Sequence, residues 1–121
     1  MATSTIKGRT GTTIQQVTVT TAAEQVGALN AQLQGNILLI NAVLRFNGQT
    51  FANNDTIMTI TGYKASKRTD CWALPESGTG RVKAVIMNNS SDVRISAVNN
   101  GLMTGFNGYY DFNMVIPVVP A

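Results

Sequence analysis

Trp72 stands two residues after Asp70 and four after Arg68, in the string Arg68-Thr69-Asp70-Cys71-Trp72. An indole offers a flat apolar face, a carboxylate accepts from paired hydroxyls, and a guanidinium donates in a planar fork. Together they suit a sugar ring and its hydroxyls, or a neutral protein surface. Tyr63 and Tyr109 belong to the same class of loop or strand-end aromatics, Tyr109 through the connection Phe106-Asn107-Gly108-Tyr109. Phe46 and Phe112 fall in strand-like runs and are expected in the core. The expected ligand-binding set is therefore Trp72, Asp70, Arg68, Tyr63 and Tyr109.

Other chemistries find less support. The chain has 6 Asp+Glu in total. Asp70 and Glu76 flank Trp72 and form the least remote carboxylate pair, and two-carboxylate glycoside hydrolysis needs such a pair about 5–9.5 Å apart. There is no histidine and one cysteine, so Cys71 lacks the usual activating base and is expected as a buried structural thiol. A thiolate zinc cluster and an intrachain disulfide are excluded by the same count. The glycines form neither GxGxxG after a strand nor a GxxxxGK[ST] loop. We expect no enzyme activity, no metal and no cofactor.

These residues must be positioned by a chain of 121 residues in which 44% are hydrophobic and only 12% charged. Asn and Thr, with 12 and 15 copies, cover much of the remaining surface. The length favours one domain, and the low charge favours burial of surface against other subunits. Net charge is +3, with basic residues clustered only at Lys64, Lys67 and Arg68, which does not favour nucleic-acid binding. No apolar run reaches the 18 residues of a membrane helix, and the N-terminus carries no signal-peptide h-region.

Residues 1–19 read as an N-terminal arm or attachment segment, β-prone over Ile14–Val19. Thr20 to Gly35 reads as a short helical neck: Thr21 and Glu24 stand as in a capping box, and Val26, Leu29 and Leu33 recur at spacings of three and four. Such a helix is too short to stand alone. Val26, Leu29, Leu33 and the following Ile37 are the expected oligomerisation residues. Residues 36–121 read as an antiparallel β head. Ile37, Leu39 and Asn41 share one strand face, with Leu38 and Ile40 on the other, so both faces are apolar for a few residues. Asn47-Gly48 and Asn53-Asn54-Asp55 signal turns. Thr56–Ile60 and Cys71–Leu74 read as strands. Arg81–Asn88 and Asp92–Val98 read as a hairpin, and Tyr110, Phe112, Met114 and Ile116 line one face of a last strand. The expected fold is all-β, a compact antiparallel β-sandwich or jelly-roll-like barrel with a short N-terminal helix.

Leu44-Arg45-Phe46, Asp55-Thr56-Ile57, Ile60-Thr61-Gly62-Tyr63, Ala73-Leu74-Pro75, Gly80-Arg81-Val82 and Tyr110-Asp111-Phe112 occur in that order. This pattern resembles the C-terminal head region of tailed-phage tail fibre and receptor-binding proteins, over residues 36 to 118. It departs from the family at Tyr63-Lys64-Ala65, where a proline is usual, and in lacking histidine. The resemblance implies a homotrimer in the virion tail or tail tip, produced in the host cytoplasm. It implies binding to host cell-wall or surface polysaccharide, with Trp72 as anchor and Asp70 and Arg68 as companions. Residues 1–19 would join a tail or baseplate protein. The other reading of the same chain is a structural virion protein, a capsid decoration or tail subunit, without a specific glycan site.

Overall fold

The computed structural model describes residues 14–76, 81–96 and 103–121, with the side chains of 47–50 and 103–107 outside the description. The strands among these residues are β1 (Ile14–Gln16), β2 (Val19–Thr21), β3 (Gln25–Gln34), β4 (Ile37–Phe51), β5 (Thr56–Ile60), β6 (Tyr63–Ala65), β7 (Thr69–Pro75), β8 (Val82–Ile86), β9 (Asp92–Ser96) and β10 (Met103–Pro120). They form one antiparallel sheet, curled as a half-barrel, in the order β1-β3-β4-β10-β7-β8-β9-β5-β2, with β6 paired to β10. The all-β expectation therefore holds.

The curl follows from two segments that serve two neighbours each. The stretch Ile14–Thr21 pairs first with β3 and then with β5. Between these ladders Val17 N–H donates to the Ala31 carbonyl at 3.0 Å, and Thr18 accepts from Thr61 N–H at 2.9 Å. One segment thus satisfies backbone groups at both ends of the strand path, which would otherwise present open edges. Likewise β7 pairs with β8 through 69–73 and with β10 through Leu74 and Pro75.

The helical neck expected over residues 20–35 does not form; this stretch is β2, a short crossing and β3. Leu29, Ala31 and Leu33 alternate with Asn30, Gln32 and Gln34, so the segment also carries a period of two. Ala31 and Leu33 are buried and Leu29 packs against the core. Gly35, at φ 64°, opens a two-residue loop that sets Gln34 opposite Ile37, the place where type II′ hairpins put glycine. The ladder with β4 then satisfies the backbone of the whole segment, which overrides the helix propensity of its Ala, Leu and Gln residues. Thr21 caps no helix: its Oγ1 donates to the Ile57 carbonyl at 2.9 Å and accepts from Ala23 N–H at 3.1 Å.

A second correction concerns Asn47-Gly48, expected as a turn. β4 runs through both to Phe51, paired with β10 and with two register shifts near its end. Phe51 is buried edge-on against Phe46, ring centroids 5.4 Å apart, so the strand is extended by a core contact at its far end. The connection expected at Phe106-Asn107-Gly108-Tyr109 is likewise part of β10. The turn at Asn53-Asn54-Asp55 is present, with Asn54 at φ 73° and the Asp55 carboxylate accepting from Ala52 N–H at 2.8 Å. The hairpin of β8 and β9 is present too.

The core lies on the inner face of the sheet. Leu38, Ile40, Ala42, Leu44 and Phe46 of β4 meet Tyr110, Phe112, Met114 and Ile116 of β10, all buried. Val82, Ala84, Ile86, Val93 and Ile95 extend it under β8 and β9. Each large side chain so buried is worth about 1.5–3 kcal/mol relative to exposure. Strict alternation sends the intervening residues outward, and it is this outer face that carries the site.

Candidate functional site

β7 presents Cys71 and Ala73 inward and Asp70, Trp72 and Leu74 outward. Trp72 keeps 43% of its surface exposed. Its ladder partner on β8 is Lys83, whose ammonium lies 6.0 Å from the ring centroid. The Arg81 guanidinium sits closer, 4.5 Å over the ring. Asp70 is the electrostatic hub beside them. It accepts from Arg68 Nε at 3.0 Å and from Arg68 NH2 at 3.4 Å, and its Oδ2 lies 3.3 Å from Lys83 Nζ. The Arg68 hydrogen bond, helped by Lys83 and opposed by slight desolvation, holds the Asp70 carboxyl below the usual aspartate range. The outcome is a strip of one flat aromatic, three cations and one ionised carboxylate, fixed by cross-strand register.

The structure therefore brings Arg68, Asp70 and Trp72 together and leaves the two expected tyrosines elsewhere. Tyr63 lies on β6, packs against the core and is paired with Pro120 of β10. Tyr109 lies on β10 opposite Arg45, whose guanidinium is 5.9 Å from its ring. A Cβ at Gly27 would come within 3.2 Å of that ring, so glycine there lets the tyrosine lie close over β3. Lys83 and Arg81 are the partners that residue types alone did not reveal. Their outward alternation, Lys83 on β8 and Arg81 just before it, is visible in the sequence; that β8 pairs beside Trp72 is not.

The expected oligomerisation residues do not share one face. Leu33 is buried in the chain's own core and Leu29 is half-buried against it, so neither lies on a helical seam. Val26 is exposed, and Ile37 is half-buried on the outer face. There, β3, β4 and β10 set three rows side by side: Gln32, Leu39 and Val115; Asn30, Asn41 and Asn113; Ala28, Val43 and Asp111. Asn41 Nδ2 donates to Asn113 Oδ1 at 2.8 Å. Val115 and, beside Asp111 on β7, Leu74 are more than half exposed.

The carboxylates are not arranged as a hydrolytic pair of Asp70 and Glu76. Asp70 to Pro75 is five strand steps, roughly 17 Å at the usual rise, and Glu76 follows Pro75. Glu76 instead neighbours Asp111, and the hydrogen bond and like charge of that carboxyl raise its pKa. Cys71 is buried, donates to the Asn113 carbonyl at 3.2 Å, and has its thiol pushed up by burial. That is an inert structural thiol rather than an activated one. No cluster of three or more His, Cys, Asp or Glu suited to a metal occurs among the described residues. Among the described residues there is no helix long and apolar enough to cross a membrane. Compared with protein-family models, curated proteins and solved structures, the chain matches none.

Proposed function

We propose that this chain is the head of a phage receptor-binding protein, a non-enzymatic adhesin that recognises host cell-surface saccharide as a homotrimer. The observation that carries the reading is the exposed Trp72, held in a strip with Asp70, Arg68, Arg81 and Lys83. The indole offers apolar area, while the charged neighbours offer directional hydrogen bonds to hydroxyls or acidic groups. Single sites of this kind bind weakly. Three on one rigid assembly, and several assemblies per virion, would convert weak contacts into lasting attachment. The finer architecture we propose is a β-sandwich or jelly-roll-like barrel, and attachment to the tail or baseplate is assigned to residues 1–19. Within that segment, residues 14–16 and Val19 are already paired in the sheet.

Trp72→Ala tests the anchor. In a pull-down on host cells or purified surface polysaccharide, binding should fall about ten-fold or more, the scale of a lost aromatic contact. Thermal unfolding should change little, because the side chain lies outside the core. Equal binding by variant and parent would overturn the assignment.

The outer face of β3, β4 and β10, neutral apart from Arg45 and Asp111, favours a second reading, a structural virion subunit whose sheet packs against other virion proteins. A trimer in which that face is covered and the Trp72 strip stays open distinguishes the adhesin. A Trp72 strip buried against another virion protein supports the structural subunit.

A further inference from the structure

The outer surface beside β8 and β9 holds a cavity of about 170 Å³, lined by Asn54, Arg68, Val85, Met87, Arg94 and Ser96. Register explains the gathering. Arg94 of β9 faces Val85 of β8 on one side and Thr56 of β5 on the other. Asn54 arrives through the turn before β5, its N–H donating to the Ile95 carbonyl at 2.8 Å. Val85 and Met87 supply apolar wall; two guanidiniums, an amide and a hydroxyl supply donors.

Arg94 is the unusual member. Its Nε is buried and has no hydrogen-bond partner among the described residues. That nitrogen is closed off from solvent, so it is the charge Arg94 brings to the cavity wall, and not Nε, that a ligand there would meet. No carboxylate lines the cavity to answer it. The nearest acids in the fold are committed: Asp70 to Arg68 and Lys83, Asp55 to Ala52 N–H, and Asp92 to the Thr59 hydroxyl at 3.0 Å. Around Asp70 and the cavity, one carboxylate thus stands against Arg68, Lys83 and Arg94. The cavity wall therefore carries a net positive charge, which suits an anion.

We infer that the cavity binds a compact oxyanion, a phosphate group or phosphate ester, with Arg94 as its principal ligand. Arg68, Asn54 and Ser96 supply further donors. The fork of a guanidinium matches the oxygens of a phosphate, and Val85 and Met87 give one side of the cavity an apolar surface. The inference goes beyond the saccharide reading and rests on the cavity and its lining. Because Arg68 belongs both to the cavity and to the Trp72 strip, one ligand carrying a ring and a phosphate could engage both.

The test is a titration with inorganic phosphate at constant ionic strength, with chloride as the reference anion, followed by backbone amide resonances. Saturable shifts at Val85, Arg94 and Ser96 with phosphate, absent with chloride, are expected. Arg94→Gln should weaken the response at least ten-fold and Arg94→Lys less. Arg45→Gln removes the same charge from β4, outside the cavity, and should change nothing. Equal responses to the two anions, or an equal loss in Arg45→Gln, would overturn the site. The comparison of anions on the unchanged chain decides the matter even where Arg94→Gln fails to fold. A phosphodiester-linked glycan at equal phosphate concentration locates the source. Tighter binding of the polymer assigns a surface polymer, and equal binding assigns free phosphate. Binding of neither refutes the site. Trp72→Ala tests the saccharide reading separately.

Discussion

The two halves of the sheet share one inner face and differ on the outer one. Under β3, β4 and β10, as under β7, β8 and β9, alternate residues are buried aliphatics and aromatics. Outward, the first half shows Gln32, Leu39, Val115, Asn30, Asn41, Asn113, Ala28 and Val43, with Asp111 as the charge in those rows. The second shows Arg68, Asp70, Trp72, Lys83 and Arg94. The inner face needs only to exclude water, so both halves solve it alike. The outer faces are free to differ, and they differ in the chemistry they invite. A face of amides and aliphatics, neutral apart from Arg45 and Asp111, suits coverage by protein; a charged face with an exposed indole suits a polar ligand.

The largest expected effect comes from breaking what the halves share. Phe46 packs edge-on against Phe51, Tyr110 and Phe112, with centroids at 5.4, 6.0 and 6.4 Å. Phe46→Ala should cost about 3–5 kcal/mol. Urea unfolding should show one transition, with both halves lost together; two separated transitions would mean that the halves are independent.

Next comes the neutral face. Val115→Asp places an unpaired charge among Leu39, Ile37 and Pro117, and should weaken self-association about ten-fold or more. Its stability as a single chain should change little, since Val115 is 59% exposed. Unaltered mass in light scattering would show that this face is not the contact.

The charged face should respond more mildly. Arg81→Ala removes the cation from over Trp72, worth about 0.5–1 kcal/mol at an exposed site. Tryptophan fluorescence should change while the unfolding midpoint barely moves. An unchanged spectrum would refute the stacked arrangement.

Asp70→Asn should have the smallest effect, about 0–1 kcal/mol for a surface pair. The Asp70 carboxyl has a lowered pKa in the folded chain. Its stabilisation is therefore present above the ordinary aspartate pKa and lost as pH falls through the lowered one. Parent and variant should differ at neutral pH and converge in acid. A difference growing toward acid would contradict the pairing.

Much of the second half was legible in the sequence, because β8 and β9 carry a clean period of two bounded by turn residues, as does the stretch 110–116 of β10 in the first half. The first half was harder. Residues 25–34 carry a helical spacing at Val26, Leu29 and Leu33 and a strand spacing at Leu29, Ala31 and Leu33. Only the partner strand β4 decides between them, and pairing is not local. Asn47-Gly48 failed for the same reason: the turn dipeptide is overruled by a long ladder and by Phe51 in the core. In the site, Arg68, Asp70 and Trp72 were legible because they recur with a spacing of two, Asp70 and Trp72 on β7 and Arg68 just before it. Arg81, Lys83 and Arg94 enter through register, which no single strand encodes.

The central claim is that the neutral outer face is covered by further copies of the chain while the charged face remains open. Sedimentation equilibrium of the purified protein at micromolar concentration tests it most directly. The account predicts three times the chain mass of 12.9 kDa. A mass of one chain at all concentrations would contradict it.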